Sequence, residues 1–171
     1  MTSTPDNPPL EAGNEPTTYN LLFVCSGNTC RSPLAHAIAA QLVSERGWTH
    51  VSVKSAGTAA LPALPASTNA IAVAKENGLD LGPHRSQALT HELLDWADII
   101  LVMSPSQLLA VVDLGGGEKV ALTTDFLEGP GLGAAIEDPF GGDMEAYRRT
   151  YEQIREAVTG VLDKLEPILA P

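Results

Sequence analysis

At 171 residues and 44% hydrophobic content, the chain is sized for one well-cored domain and has the composition of a soluble globular protein. A formal net charge of −11 argues against nucleic acid or an anionic membrane as the main partner, because both call for a cationic face. No apolar run of about 18 residues and no charged-then-apolar leader occur, so neither a spanning helix nor a signal peptide is expected.

Residues 1–18 read as a disordered tail, with four prolines and with Asp6, Glu11 and Glu15 outside any apolar periodicity. Residues 19–171 then form a single domain. Asn20–Val24 is continuously apolar and predicts a strand buried on both faces. Pro33–Arg46 predicts a helix whose inward stripe is Leu34, Ile38 and Leu42, ended by Gly47. Val51–Ser55 alternates as a second strand, followed by a turn at Ser55-Ala56-Gly57-Thr58 and an apolar, breaker-rich loop over Ala59–Pro65. A second helix starts at Ser67 or Thr68 and runs to Asn77, with Gly78 just past its end. Thr90–Trp96 reads as a short helix and Ile99–Met103 as a strand. Ser104-Pro105-Ser106-Gln107 combines a cap, a first-position proline and a capping-box glutamine, and opens a helix to about Val112. Lys119–Leu122 is the last strand, and a helix from about Asp143 to Leu165 carries the stripe Tyr147, Tyr151, Ile154, Val158, Val161 and Leu165. This alternation predicts an α/β three-layer sandwich, a four-stranded parallel sheet wound by helices on both faces, with ligands beyond the strand C-termini.

The chemistry concentrates where the first strand ends, in Cys25-Ser26-Gly27-Asn28-Thr29-Cys30-Arg31-Ser32-Pro33. A strand, a tight loop and a helix N-terminus aim successive N–H groups at one point and make an anion site. Such surroundings, with a nearby cation, favour the thiolate, which is the nucleophilic form of cysteine. Arg31 presents a planar fork able to hold two phosphate oxygens at once. Ser32 can donate a hydrogen bond to the thiolate. Gly27 removes a Cβ where backbone meets the oxyanion, and Asn28 suits a left-handed position from which its amide braces the loop. Together these residues read as a cysteine nucleophile that attacks a phosphoryl group. Asp138, before Pro139, lies on a loop between the last strand and the last helix, where a carboxylic acid can protonate a leaving group and then activate water.

The chain resembles the low-molecular-weight protein-tyrosine phosphatases from about Asn20 to Pro167. The resemblance is carried in order by the Cys25–Pro33 loop, Ser55-Ala56-Gly57-Thr58, His84-Arg85-Ser86, Ala97–Met103 and Asp138-Pro139-Phe140. It implies Cys25 as nucleophile, Arg31 as phosphate clamp and Asp138 as acid, with Asn28, Ser32, Ser55 and His84 as a hydrogen-bonded support for the loop. Cys-x-Gly-Asn-Thr-Cys-Arg-Ser and Asp-Pro-Phe-Gly-Gly are similar to the bacterial protein-arginine phosphatases. Tyrosine-directed members tend to carry Ile or Leu where this chain has Thr29, and aromatic rings after the Ser-Ala-Gly turn and after Asp-Pro-aromatic. Here Ala59-Ala60-Leu61 follows the turn and Gly141-Gly142 follows Phe140, so Thr29 and Phe140 are read as specificity residues favouring phosphoarginine.

The expected partners are a phosphorylated protein substrate and a phosphate or sulfate ion in the loop. Two cysteines five positions apart are neither a disulfide framework nor Cys-x-x-Cys zinc spacing, and reduced thiols fit a cytoplasmic setting. Cys30 is close enough in sequence to capture an oxidised Cys25 as a disulfide, or it merely packs beneath the loop. His36, His50, His84 and His91 show no ligand spacing, so no metal or cofactor is expected. An arsenate reductase would need a further cysteine to relay the disulfide, a thiol oxidoreductase would not need Arg31, and a phosphoprotein-binding module would not require both Cys25 and Asp138.

Overall fold

The computed structural model of the protein describes residues 18–170, so the expected tail over residues 1–18 lies outside the described residues apart from Thr18. Four strands, β1 (Tyr19–Cys25), β2 (Val51–Gly57), β3 (Ile99–Val102) and β4 (Val120–Leu122), form one parallel sheet in the order β2-β1-β3-β4. The chain steps from β1 out to β2 and then returns to the other side of β1. The C-terminal ends of β1 and β3 therefore flank a topological switch point, the place where open α/β sheets take ligands.

The helices α1 (Arg31–Glu45), α2 (Thr68–Glu76) and α5 (Met144–Leu169) cover one face, packing Leu34, Ile38, Val73, Tyr151, Ile154 and Val158 against Leu21 and Phe23 of β1. The helices α3 (His91–Trp96) and α4 (Pro105–Asp113) cover the other, where Leu93, Leu94 and Val111 meet Leu22, Val24, Ile100 and Val102. Both faces of β1 are thus buried, as its continuous apolar run predicts. All six residues of the α5 stripe are buried, each large apolar side chain contributing about 1.5–3 kcal/mol.

Three boundaries differ from the sequence reading by two residues or more. Helix α1 begins at Arg31 rather than Pro33, which places the guanidinium in the first turn and leaves Pro33 third, where its missing N–H is still tolerated. The segment Ser55–Gly57 continues β2 instead of turning, because Gly57 pairs with Cys25 on one side and bridges Ala88 on the other. Helix α5 runs on to Leu169 through Pro167, since buried Leu169 holds its last turn against the core. Two short 3₁₀ turns, Thr123–Phe126 and Gly129–Gly131, occupy the stretch after β4.

Candidate active site

Buried Cys25 is the last residue of β1, and α1 starts six residues later with no side-chain cap on its N-terminus. Between them the backbone is bent outward by its carbonyls. Thr58 N–H donates to the carbonyl of Cys25 and Ala59 N–H to that of Ser26, both at 2.9 Å. Ser67 N–H donates to the carbonyl of Thr29 at 2.9 Å, and His84 Nε2 lies 2.8 Å from that of Asn28. Every peptide bond here is trans, so each N–H points opposite to the preceding carbonyl. The N–H groups of Ser26, Gly27, Thr29 and Cys30 therefore face the inner side of the loop. Asn28 sits at φ 55° in the left-handed region that permits this curl.

Two glycines differ in what they do. A Cβ on Gly27 would meet only Thr29 Oγ1 at 3.6 Å, so the protein itself leaves room there. A Cβ on Gly57 would lie 2.5 Å from the carbonyl oxygen of Ser26 and 3.0 Å from Asn28 N, so it is Gly57 that lets the loop close against β2.

The thiol is the end point of a directed relay. Asn28 Oδ1 accepts from Gln87 N–H at 2.9 Å, which turns its amide Nδ2 toward Ser32 Oγ (2.8 Å) and Ser55 Oγ (3.0 Å). Ser32 Oγ thus receives a proton from Asn28 and keeps its own to give. Its nearer acceptor is Cys25 Sγ at 2.9 Å, against 3.4 Å to the carbonyl of Ala56. Ser32 N–H adds a second donor to the sulfur at 3.4 Å. Asn28, Ser32, Ser55 and His84 are therefore gathered around the loop.

Arg31 is almost fully buried, its Nη1 donating to the carbonyl of Ile136 at 3.0 Å while its Nη2 lies 3.6 Å from Asp138 Oδ2. Ile136 is held beside the end of β3 by its N–H, which donates to the carbonyl of Met103. Glu137 next to it is tied to α5 by Thr150 and Gln153. Asp138 is thus carried to the cleft on a braced segment; its Oδ1 accepts from Phe140 N–H at 3.1 Å, and the carboxylate is about half exposed. A cleft of about 280 Å³ is lined by Cys25, Ser26, Gly27, Thr29, Cys30, Arg31, Ala59, Asp138 and Phe140. Phe140 stands 75% exposed at its rim.

Cys25 and Cys30 are both free thiols with separate surroundings. Cys30 Sγ lies 3.3 Å from both Ser67 Oγ and Tyr147 Oη, a packed position beneath the loop. Burial, helped by the Cys30 contact, pushes the Tyr147 hydroxyl up to about 12. Sequence reasoning missed Gln87, Ile136, Ser67 and Tyr147 as supports, since nothing local marks residues that act across such distances. It placed Gln107 in a capping box, and that buried side chain also reaches Ser26 Oγ, at 3.1 Å. A larger groove, about 450 Å³, lies beside His36 and His84 and is lined by no cysteine, serine or threonine.

Burial lowers the pKa of His84, partly offset by its bond to the carbonyl of Asn28 and furthered by Arg85; burial and then His84 lower that of His36. Because the folded protein resists protonating them, the unfolded chain binds more protons as pH falls below the ordinary 6.5 and toward the lowered values. Stability contributed by these two groups is complete above that range and is lost on acidification through it. The melting temperature should therefore drop between about pH 7 and pH 5, and His36→Gln with His84→Gln should flatten that slope. An equally steep slope in the double variant would assign the acid sensitivity to other groups.

A curled ring of N–H groups around a sulfur, closed by a buried guanidinium, is an arrangement suited to a tetrahedral oxyanion, and the comparisons with known proteins agree. The family described as low molecular weight phosphotyrosine protein phosphatase matches residues 20–168, and the chain belongs to that family. A protein-arginine-phosphatase from Geobacillus stearothermophilus is 36% identical over 150 residues, covering 86% of this chain and 97% of that one. The low molecular weight protein-tyrosine-phosphatase PtpB of Staphylococcus epidermidis is also 36% identical, over 146 residues, covering 85% and 99%. Among solved structures, a YwlE arginine phosphatase in which serine replaces the active-site cysteine and is phosphorylated superimposes with a TM-score of 0.80, at 31% identity over 86% of this chain and 95% of that one. The chain is accordingly a cysteine-based protein phosphatase.

Proposed function

We propose that the protein removes phosphate from arginine side chains of proteins through a phosphocysteine on Cys25. The Cys25 thiolate attacks phosphorus in line while Arg31 and the inward N–H groups hold the equatorial oxygens and stabilise their charge. The P–N bond breaks as Asp138 delivers a proton to the departing guanidine nitrogen. Water, losing its proton to the Asp138 carboxylate, then attacks phosphorus and breaks the P–S bond, which frees phosphate and restores the thiolate. Ser32 steadies the sulfur when it accepts negative charge again. The phosphorylated active-site serine of the YwlE relative supports a covalent intermediate at this position.

The observation that carries the choice of arginine is the wall of the cleft. Of the residues lining the cleft only Phe140 is aromatic, while Thr29 supplies a hydroxyl and Ala59 no more than a methyl where further rings could stack on a phenol. A guanidinium offers N–H donors that a threonine oxygen can accept, and the acidic chain suits its positive charge. The arginine-phosphatase relative supports this, while PtpB supports phosphotyrosine as the second reading. Two free thiols fit a cytoplasmic setting, and no helix among the described residues is long and apolar enough to cross a membrane. For Cys30 to trap an oxidised Cys25, its thiol would have to leave Ser67 and Tyr147.

Phosphoarginine and phosphotyrosine peptides should be compared with wild type and Thr29→Ile. Wild type should favour phosphoarginine, and Thr29→Ile should shift the ratio of kcat/KM values toward phosphotyrosine by about tenfold or more. A wild-type preference for phosphotyrosine that Thr29→Ile leaves unchanged would overturn the choice of substrate.

A further inference from the structure

Gln107 is 2% exposed and belongs to the first turn of α4, on the opposite face of the sheet from α1. Its Oε1 lies 2.9 Å from Met103 N and 3.1 Å from Ser104 N. Backbone N–H groups only donate, so the amide oxygen must face them, and Nε2 must face Ser26 Oγ, 3.1 Å away. The serine oxygen is therefore an acceptor in this contact. It retains its own proton and a second lone pair, both directed away from Gln107. Ser26 is an exposed residue of the cleft wall, and its carbonyl is pinned by Ala59 N–H. The hydroxyl is thus held from behind by a buried side chain, just as Ser32 is held by Asn28, and it belongs to a residue that lines the cleft without contacting the sulfur.

From this we infer that Ser26 is a specificity residue, whose oriented hydroxyl accepts a hydrogen bond from the guanidinium N–H groups of the phosphorylated arginine, and that Gln107 is its positioning residue. The inference rests on the phosphoarginine reading. A guanidinium has several donors and no acceptor, so one oxygen at Thr29 leaves other N–H groups to be satisfied. A phosphotyrosine ring has no N–H to offer, so the Ser26 oxygen discriminates between the two substrates. On substrate preference Gln107 acts only through Ser26, and that effect disappears when the hydroxyl is gone.

The test measures kcat and KM for phosphoarginine and phosphotyrosine peptides in wild type, Ser26→Ala, Ser26→Thr, Gln107→Leu and the Ser26→Ala/Gln107→Leu double variant. Ser26→Ala should lower the phosphoarginine-to-phosphotyrosine ratio roughly tenfold, mainly through a higher KM for phosphoarginine, and Ser26→Thr should recover most of it. Gln107→Leu should lower the ratio in the same direction, and the double variant should be no worse than Ser26→Ala alone. A ratio unmoved by Ser26→Ala, or losses that multiply in the double variant, would overturn the inference. Ser26 is exposed, so its alanine variant decides the matter even if Gln107→Leu fails to fold. Wild type inert toward phosphoarginine ends the substrate reading and this inference together; wild type active with Ser26→Ala unaltered in ratio ends this inference alone.

Discussion

Cys25→Ser should abolish turnover, by on the order of 10⁴-fold or more, while phosphate or sulfate still binds. The sulfur's partners are the hydroxyl and the N–H of Ser32, both of them donors toward it. Neither can take a proton from a nucleophile. Activation therefore comes from hydrogen bonds that stabilise an anionic sulfur, and an alcohol is a far weaker acid than a thiol. Phosphate affinity should survive because Arg31 and the inward N–H groups do not depend on that atom. Steady-state hydrolysis of a small aryl phosphate in chelator, with calorimetric titration of phosphate, separates the two quantities. Residual activity near wild type would remove Cys25 from the chemistry, and loss of phosphate affinity along with turnover would mean that the loop had collapsed.

Asp138→Asn should cost about 10²–10⁴-fold, and the loss should depend on the leaving group. An aryl phosphate with a poor leaving group needs a proton on the departing oxygen, whereas an activated phenol departs without one. The labile P–N bond of phosphoarginine should fall between a poor aryl ester and an activated one. The carboxylate is held at the cleft by Phe140 N–H, by Arg31 Nη2 at 3.6 Å, and by a segment tied to β3 and α5. Asparagine keeps the shape and removes the proton, so the change in slope across a series of phenols is the diagnostic quantity. Equal losses for good and poor leaving groups would show that Asp138 acts by charge alone and not as an acid.

What was legible in the amino-acid order was what is local or periodic. The apolar run into Cys25, the loop chemistry through Ser32, the caps at Ser67 and Ser104 and the α5 stripe each announce themselves within a few residues. Short-range propensity and side-chain period act over those distances. Even there, the start of α1 was misplaced by two residues, because a proline in the first turn is easily taken for its first position. The sheet order, the meeting of Asp138 with Arg31, the contact of Gln87 with Asn28, the close approach at Gly57 and the reach of Gln107 to Ser26 belong to the tertiary structure. The last four join residues from 29 to 107 positions apart, and the three made by side chains each bring a partner to a buried polar group, Arg31, Asn28 or Gln107. Chemistry that a single loop carries can be read along the chain. The aim of that chemistry depends on donors and acceptors brought to it from other elements, and only the packed sheet decides which ones arrive.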